Sequence, residues 1–128
     1  MIDKSVNDSL SKGIKGFNYM LKSHAKYTLG QVVCHKKYPF RGVIFDVDPE
    51  FSNTEEWYDN IPLENRPKKN QPFYHLLAEN DESYYVAYVS EQNLDIDKSG
   101  EPVSHPDLAA MFGDYEGGGK YPLQFDFN

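Results

Sequence analysis

Apolar and polar residues recur with a period of two in several segments of the chain. RGVIFDVD alternates over residues 41–48, while FYHLLAE and YYVAYVS are rich in aromatic and β-branched residues, which favour strands. A turn at Gly30 leads into an earlier strand, and the SEQNL turn delivers a last short strand at Leu94–Ile96. Residues 80–83 have the polar composition of a hairpin turn. The pattern predicts an all-β fold, a small five-stranded antiparallel barrel.

The segment RGVIFDVD also predicts which side chains face the core. Alternation places Val43, Phe45 and Val47 on one face, and we expect that face to point inward. Asp46 and Asp48 would then lie on the opposite, solvated face. The proline after Asp48 ends the strand, because proline restricts the residue before it and cannot pair in a central strand.

The N-terminal residues differ from the strand region and divide the chain. Residues 1–24 carry apolar side chains at spacings of three and four, which is typical of a helix. Gly13 and Gly16 weaken that helix, because glycine is a poor helix former. This extension is either a frayed segment that packs loosely or a docking helix for a partner protein. The domain proper is expected over residues 25–106.

Two further regions lie outside the predicted strands. Residues 49–72 form a long insertion between the second and third strands, and such a loop is either functional or poorly ordered. Residues 107–128 follow as a C-terminal tail. A helical pattern covers residues 106–112, and three consecutive glycines at 117–119 indicate flexibility beyond it.

Charge and cysteine content narrow the setting. The chain holds 13 lysines and arginines against 20 acidic residues, a net charge of -7, which opposes general nucleic-acid binding. Its single cysteine, Cys34, excludes an internal disulfide and favours a reducing, cytoplasmic location. We expect no membrane span, because no apolar run reaches the required length of about 20 residues, and no secretory signal.

Side chains that could carry chemistry are present but not grouped as in known motifs. Asp46, Asp48 and Glu50 offer too few ligands for calcium, so we interpret them as solvated acids at a strand end. Cys34 and His35 are adjacent on a strand, so they face opposite ways and cannot form a nucleophile–base pair. Metal-binding spacings are missing among the four histidines, His24, His35, His75 and His105. The sequence predicts no enzyme, no metal site and no cofactor.

A basic segment between the first two strands is the strongest candidate for a binding site. Its cations alternate with aromatic side chains, as a loop that contacts phosphates and stacks on bases requires. Two lysines of the insertion could join it. The alternative is a solvated turn whose aromatic residues cap the barrel. The candidate DNA-binding residues are Lys36, Lys37, Tyr38, Phe40, Arg41, Lys68 and Lys69.

Two long segments identify a family. KYTLGQVVCHKKYPFRGVIFDVDPEF and QPFYHLLAENDESYYVAYVSEQNL resemble the HspQ family, also called the hemimethylated-DNA-binding or YccV-like family. The marks are the LGQVV opening, the RGVIFDVDPEF strand, the PFYHLLAE strand and the ending YVSEQNL. The resemblance covers roughly residues 25–106, and EEWYDNIP within the insertion is similar to the longer form of the family.

The resemblance implies a fold and two activities that need no catalysis. It implies a small SH3-like β-barrel that self-associates, without catalytic residues or cofactors. One activity is to act as a specificity-enhancing factor for the Lon protease and its substrates, in a heat-shock or stress response. The alternative is to bind hemimethylated DNA in the regulation of replication initiation. The net charge favours the first, because phosphate neutralisation dominates DNA affinity.

Overall fold

The structure, a computed structural model, describes residues 25–124 and contains the five predicted strands. The strands are β1 Val32–His35, β2 Arg41–Asp48, β3 Phe73–Glu79, β4 Tyr84–Ser90 and β5 Leu94–Ile96. Two short helices accompany them, α1 Glu55–Asp59 and α2 Leu108–Met111, with 3-10 turns at Leu63–Asn65 and Glu91–Asn93. The prediction of five antiparallel strands is confirmed. The predicted N-terminal helix falls on residues 1–24, outside the described residues.

The strands form one antiparallel sheet in the order β4-β3-β2-β1-β5. All five strands contribute to one core cluster on what we call the inner face, so the sheet curls around it. The buried members of this inner cluster are Tyr27, Val33, Ile44, Tyr74, Leu76, Ala78, Val89 and Leu94. β4 and β5 are the two ends of the sheet over residues 25–124. The sheet is therefore not a closed barrel.

A β-bulge in β2 changes the predicted facing of its second half. The pairing of β2 with β3 shifts register between Ile44 and Asp46, so Phe45 is an extra residue. Before the bulge, Val43 lies on the outer face and Ile44 on the inner face. After it, Val47 packs against the inner cluster, while Phe45 packs with Val43 on the outer face. The predicted common face for Val43, Phe45 and Val47 is wrong.

The outer face of the sheet is covered by residues 103–121, most of which belong to the predicted C-terminal tail. The core cluster on this face combines strand side chains with four buried side chains that follow β5 in the sequence. Tyr121 N donates to Gly30 O at 2.7 Å, and Val32 N donates to Gly119 O at 2.9 Å. These two bonds contradict the prediction of flexibility for the glycine run at 117–119 and the residues just after it. The outer cluster consists of Val32, Val43, Leu77, Val103, Leu108, Phe112 and Tyr121.

The long insertion is folded against the sheet. α1 begins after Thr54, whose Oγ1 accepts a hydrogen bond from Trp57 N at 3.0 Å, the usual capping contact. Phe51 then holds the insertion to the strands, with its ring 5.3 Å from that of Phe73 and 5.8 Å from that of Trp57. Within residues 25–124 we find no helix of the length and apolarity needed to cross a bilayer.

Candidate binding groove, basic loop and polar cluster

His35 organises the basic loop, which we define as residues 36–40. Its Nδ1 accepts hydrogen bonds from Lys37 N at 2.9 Å and Tyr38 N at 3.1 Å. Burial and the charge of Lys37 lower the pKa of His35, which favours the neutral imidazole that these two bonds require. The ring of His35 also lies 5.1 Å from that of Phe40. These contacts of His35 therefore define the backbone conformation of the loop.

The candidate residues of this loop differ in how far their side chains are exposed. Lys36 and Lys37 are exposed, and neither forms an ion pair with any described residue. Tyr38 is 51% exposed. Phe40 instead packs against the inner cluster, with its ring 5.7 Å from that of Tyr85. Two cations and one aromatic ring are thus available to a partner.

Arg41 lies at the start of β2 and is engaged within the protein. Its Nε donates to Glu79 at 3.1 Å, and its Nη1 donates to Asp97 at 2.8 Å. The guanidinium also donates to Ser99 Oγ and to the carbonyls of Glu101 and Pro102. Only 19% of its side chain is exposed. The side chain therefore ties β2 to β3 and to the segment after β5, and its part in DNA contact stays a prediction.

The two lysines of the insertion also differ. Lys69 Nζ donates to both carboxylate oxygens of Glu55 at 2.7 Å and lies 4.5 Å from the centre of the Tyr58 ring. Lys68 is exposed and has no ion-pair partner in the part of the chain that the structure describes. Lys69 therefore stabilises the insertion, while Lys68 remains accessible.

A groove of about 450 Å³ runs along β4 between the basic loop and the insertion. Lys37 and Tyr38 line one wall, Trp57 and Ile61 the other, and β4 forms the floor. No aspartate or glutamate is among the residues that line it. β4 is an end of the sheet, so its outer edge pairs with no strand of residues 25–124. The sequence alone did not reveal this groove, because its parts are far apart along the chain.

A second cluster, which we call the polar cluster, lies on the outer face. It consists of Asp46, Asp48 and His75, whose possible ligand atoms all lie within 4.8 Å of one another. His75 Nε2 is 3.0 Å from Asp48 Oδ2, and this hydrogen bond raises the pKa of His75. We expected both aspartates to face away from Val43, but the bulge turns them to the same side. Asp46 on β2 pairs with His75 on β3. The sequence alone does not reveal this pairing, so it does not show that the three side chains lie together.

Comparison with curated proteins finds similarity to much longer proteins. The chain is 32% identical to F-box only protein 21 of Mus musculus over 108 residues, which are 80% of this chain and 17% of that protein. The protein of the same name from Homo sapiens is 32% identical over 92 residues, 71% of this chain and 14% of its own length. The chain thus spans less than a fifth of these relatives. No solved structure matches the chain significantly.

The match to a family covers most of the chain. The family described as hemimethylated DNA-binding protein YccV like matches residues 25–119. This range includes the five strands, the insertion and α2, and it extends past residue 106, where the resemblance in the sequence ended. The resemblance is confirmed: the chain belongs to the YccV-like family.

Proposed function

We propose that the protein acts by binding a polypeptide and that it modulates Lon-dependent protein degradation as a specificity-enhancing factor. The observation that carries this proposal is the groove along the unpaired edge of β4. An extended peptide can add to such an edge through main-chain hydrogen bonds, while neighbouring pockets select its side chains. Tyr85, Tyr88 and Trp57 line the groove and offer the aromatic contact that dominates many protein interfaces.

The same proposal assigns no catalytic step to the chain. Its one thiol, Cys34, is a poor nucleophile because burial, Asp97 and Asp95 raise its pKa, and the thiolate is the reactive form. Self-association, which the resemblance implies, is part of the proposal, and the edge of β4 is a surface that could serve it. A cytoplasmic location, which one free cysteine favours, is part of it as well.

A negative charge on β4 should block the groove. Val86 lines it and is 59% exposed, so Val86→Glu should leave stability nearly unchanged. We expect the protein concentration that gives half-maximal stimulation of Lon to rise at least about fivefold, since a groove contact is worth about 1 kcal/mol or more. The measurement is the rate of Lon degradation of a model substrate at increasing concentrations of each variant.

Leu63→Glu is the matched control for that experiment. Leu63 is 75% exposed and does not line the groove, so this variant makes the same kind of change elsewhere. It should stimulate Lon as the wild type does. Equal loss in both variants would mean that the groove is not the docking surface, and no stimulation by the wild type would remove the Lon hypothesis.

Binding of hemimethylated DNA is the second candidate function. The family description favours it, and the exposed Lys36, Lys37 and Lys68 offer cations for phosphates. Tyr38 could stack on a base or touch a methyl group. Against it stand the net charge of -7 and the internal bonds of Arg41 and Lys69. Few phosphate contacts are therefore available to a duplex.

Salt dependence tests the DNA hypothesis directly. If Lys36 and Lys37 contact phosphates, replacing both by Gln should lower the slope of log K against log salt by about 2, because each contact contributes about 0.9. Titrations with hemimethylated and fully methylated duplexes at several salt concentrations measure that slope. The control is Lys98→Gln, an exposed lysine outside the groove. An unchanged slope in the double variant would place the DNA site elsewhere.

A further inference from the structure

The polar cluster brings together three side chains that neither proposed partner uses. Asp46 and Asp48 come from β2 and His75 from β3, on the outer face of the sheet. We infer that these three side chains bind a divalent transition metal ion of the zinc type. This inference does not rest on the proposed function, since it concerns residues outside the groove lining.

The spacing of the donor atoms suits such an ion. Zinc binds imidazole nitrogen and carboxylate oxygen at about 2.0–2.2 Å, so neighbouring ligands of a tetrahedral ion lie about 3.3 Å apart. His75 Nε2 and Asp48 Oδ2 are 3.0 Å apart, and one possible ligand atom from each of the three residues lies within 4.8 Å of those from the other two. An ion can therefore take the place of the bridging proton with small shifts of the side chains.

The donor set also selects the class of ion. An imidazole beside two carboxylates suits zinc, whereas calcium requires six to eight oxygen ligands and magnesium prefers oxygen ligands and keeps several of its waters. Asp46 is exposed, while Asp48 and His75 are partly buried. Three protein ligands leave a further position open on the exposed side. Water or a donor from a binding partner can complete the coordination.

Neighbouring residues hold the ligands in place. Tyr88 donates from its hydroxyl to Asp48 Oδ2 at 2.8 Å, and that hydroxyl accepts from Ser52 N at 2.9 Å. The rings of Tyr88 and Phe45 lie 4.7 and 5.8 Å from the ring of His75. Contacts of this kind orient metal ligands and raise affinity. Tyr88 also lines the groove, so its hydroxyl connects the polar cluster to the floor of the groove.

Zinc titration of the full, tag-free chain tests the inference. Isothermal titration calorimetry with zinc chloride should give one ion per chain, and magnesium chloride should give none. His75→Gln and Asp46→Asn should each raise the dissociation constant for zinc at least about tenfold, since even the loss of a residue that only orients a ligand costs 10- to 100-fold. Elemental analysis of dialysed protein measures the stoichiometry independently.

The matched control is His35→Gln, which removes a partly buried histidine away from the polar cluster; it should bind zinc as the wild type does. Circular dichroism establishes that each variant is folded. Asp46→Asn carries the test if His75→Gln unfolds, because the side chain of Asp46 is exposed. Absence of zinc binding, or equal affinity in wild type and Asp46→Asn, would overturn the inference.

Discussion

Arg41→Gln is expected to lower the free energy of unfolding by about 3 kcal/mol, because it leaves two partly buried carboxylates without their cation. Glu79 and Asp97, which accept from the guanidinium, have side chains only 17% and 10% exposed. Glutamine can replace one of the hydrogen bonds but none of the charge. Urea denaturation of wild type and variant, followed by circular dichroism, measures the difference.

Lys36→Gln is the control for Arg41→Gln, since it removes a cation from the same part of the chain whose side chain forms no ion pair within residues 25–124. We expect its free energy of unfolding to lie within about 0.5 kcal/mol of the wild-type value, as for most surface substitutions. If Arg41→Gln proves equally mild, the network around Arg41 does not stabilise the fold, and the side chain is free to serve a partner.

Gly30→Ala should be as damaging, with an expected loss of at least about 3 kcal/mol from strain and steric overlap together. Gly30 has a φ of +87°, a backbone angle that residues with a Cβ rarely adopt. An added Cβ would lie 2.2 Å from Tyr121 O, so the segment that covers the outer face would have to move. Thermal and urea denaturation of the variant measure the loss.

Gly100→Ala separates the two contributions to that loss. Gly100 has a φ of +74°, and no atom lies within 4 Å of an added Cβ. It therefore keeps the backbone strain and lacks the overlap, so about 1 kcal/mol is expected. Similar losses in both variants would show that contact with Tyr121 adds nothing to the cost at Gly30.

The strands were predictable from the sequence because each depends on local alternation. The bulge was not, since Phe45 and Val47 are both apolar and preserve the apparent alternation across the extra residue. The covering segment was missed because, of its four buried side chains, only Leu108 and Phe112 have a helical spacing, while Val103 and Tyr121 follow no period. Three glycines nearby made it look flexible, although they only form the turn before Lys120, which pairs with Gln31.

The candidate sites also depend on contacts between residues that are far apart in the sequence. Composition indicated that the basic loop is a candidate binding site. Its exposed lysines lie in the turn between β1 and β2, as the sequence predicts. The partners of Arg41 are 38 and 56 residues away, and no local pattern announces such pairs. The role of His75 cannot be predicted from its own segment, because the side chains near it, Asp46 and Asp48, lie on the neighbouring strand. Tertiary pairing, not residue type, decides which polar side chains can act together.

The hydrogen bonds that Tyr121 N donates to Gly30 O and Val32 N donates to Gly119 O also impose an order on folding during synthesis. The inner cluster is complete once β5 has been made, at residue 96. The outer cluster waits for Tyr121, and at about 5–20 residues per second the ribosome needs roughly 1–5 s to deliver it. During that interval Val32, Val43 and Leu77 have no cover. The nascent chain therefore passes through a stage in which the inner face is packed and the outer face still exposes apolar side chains. Aggregation with other chains is most harmful at this stage.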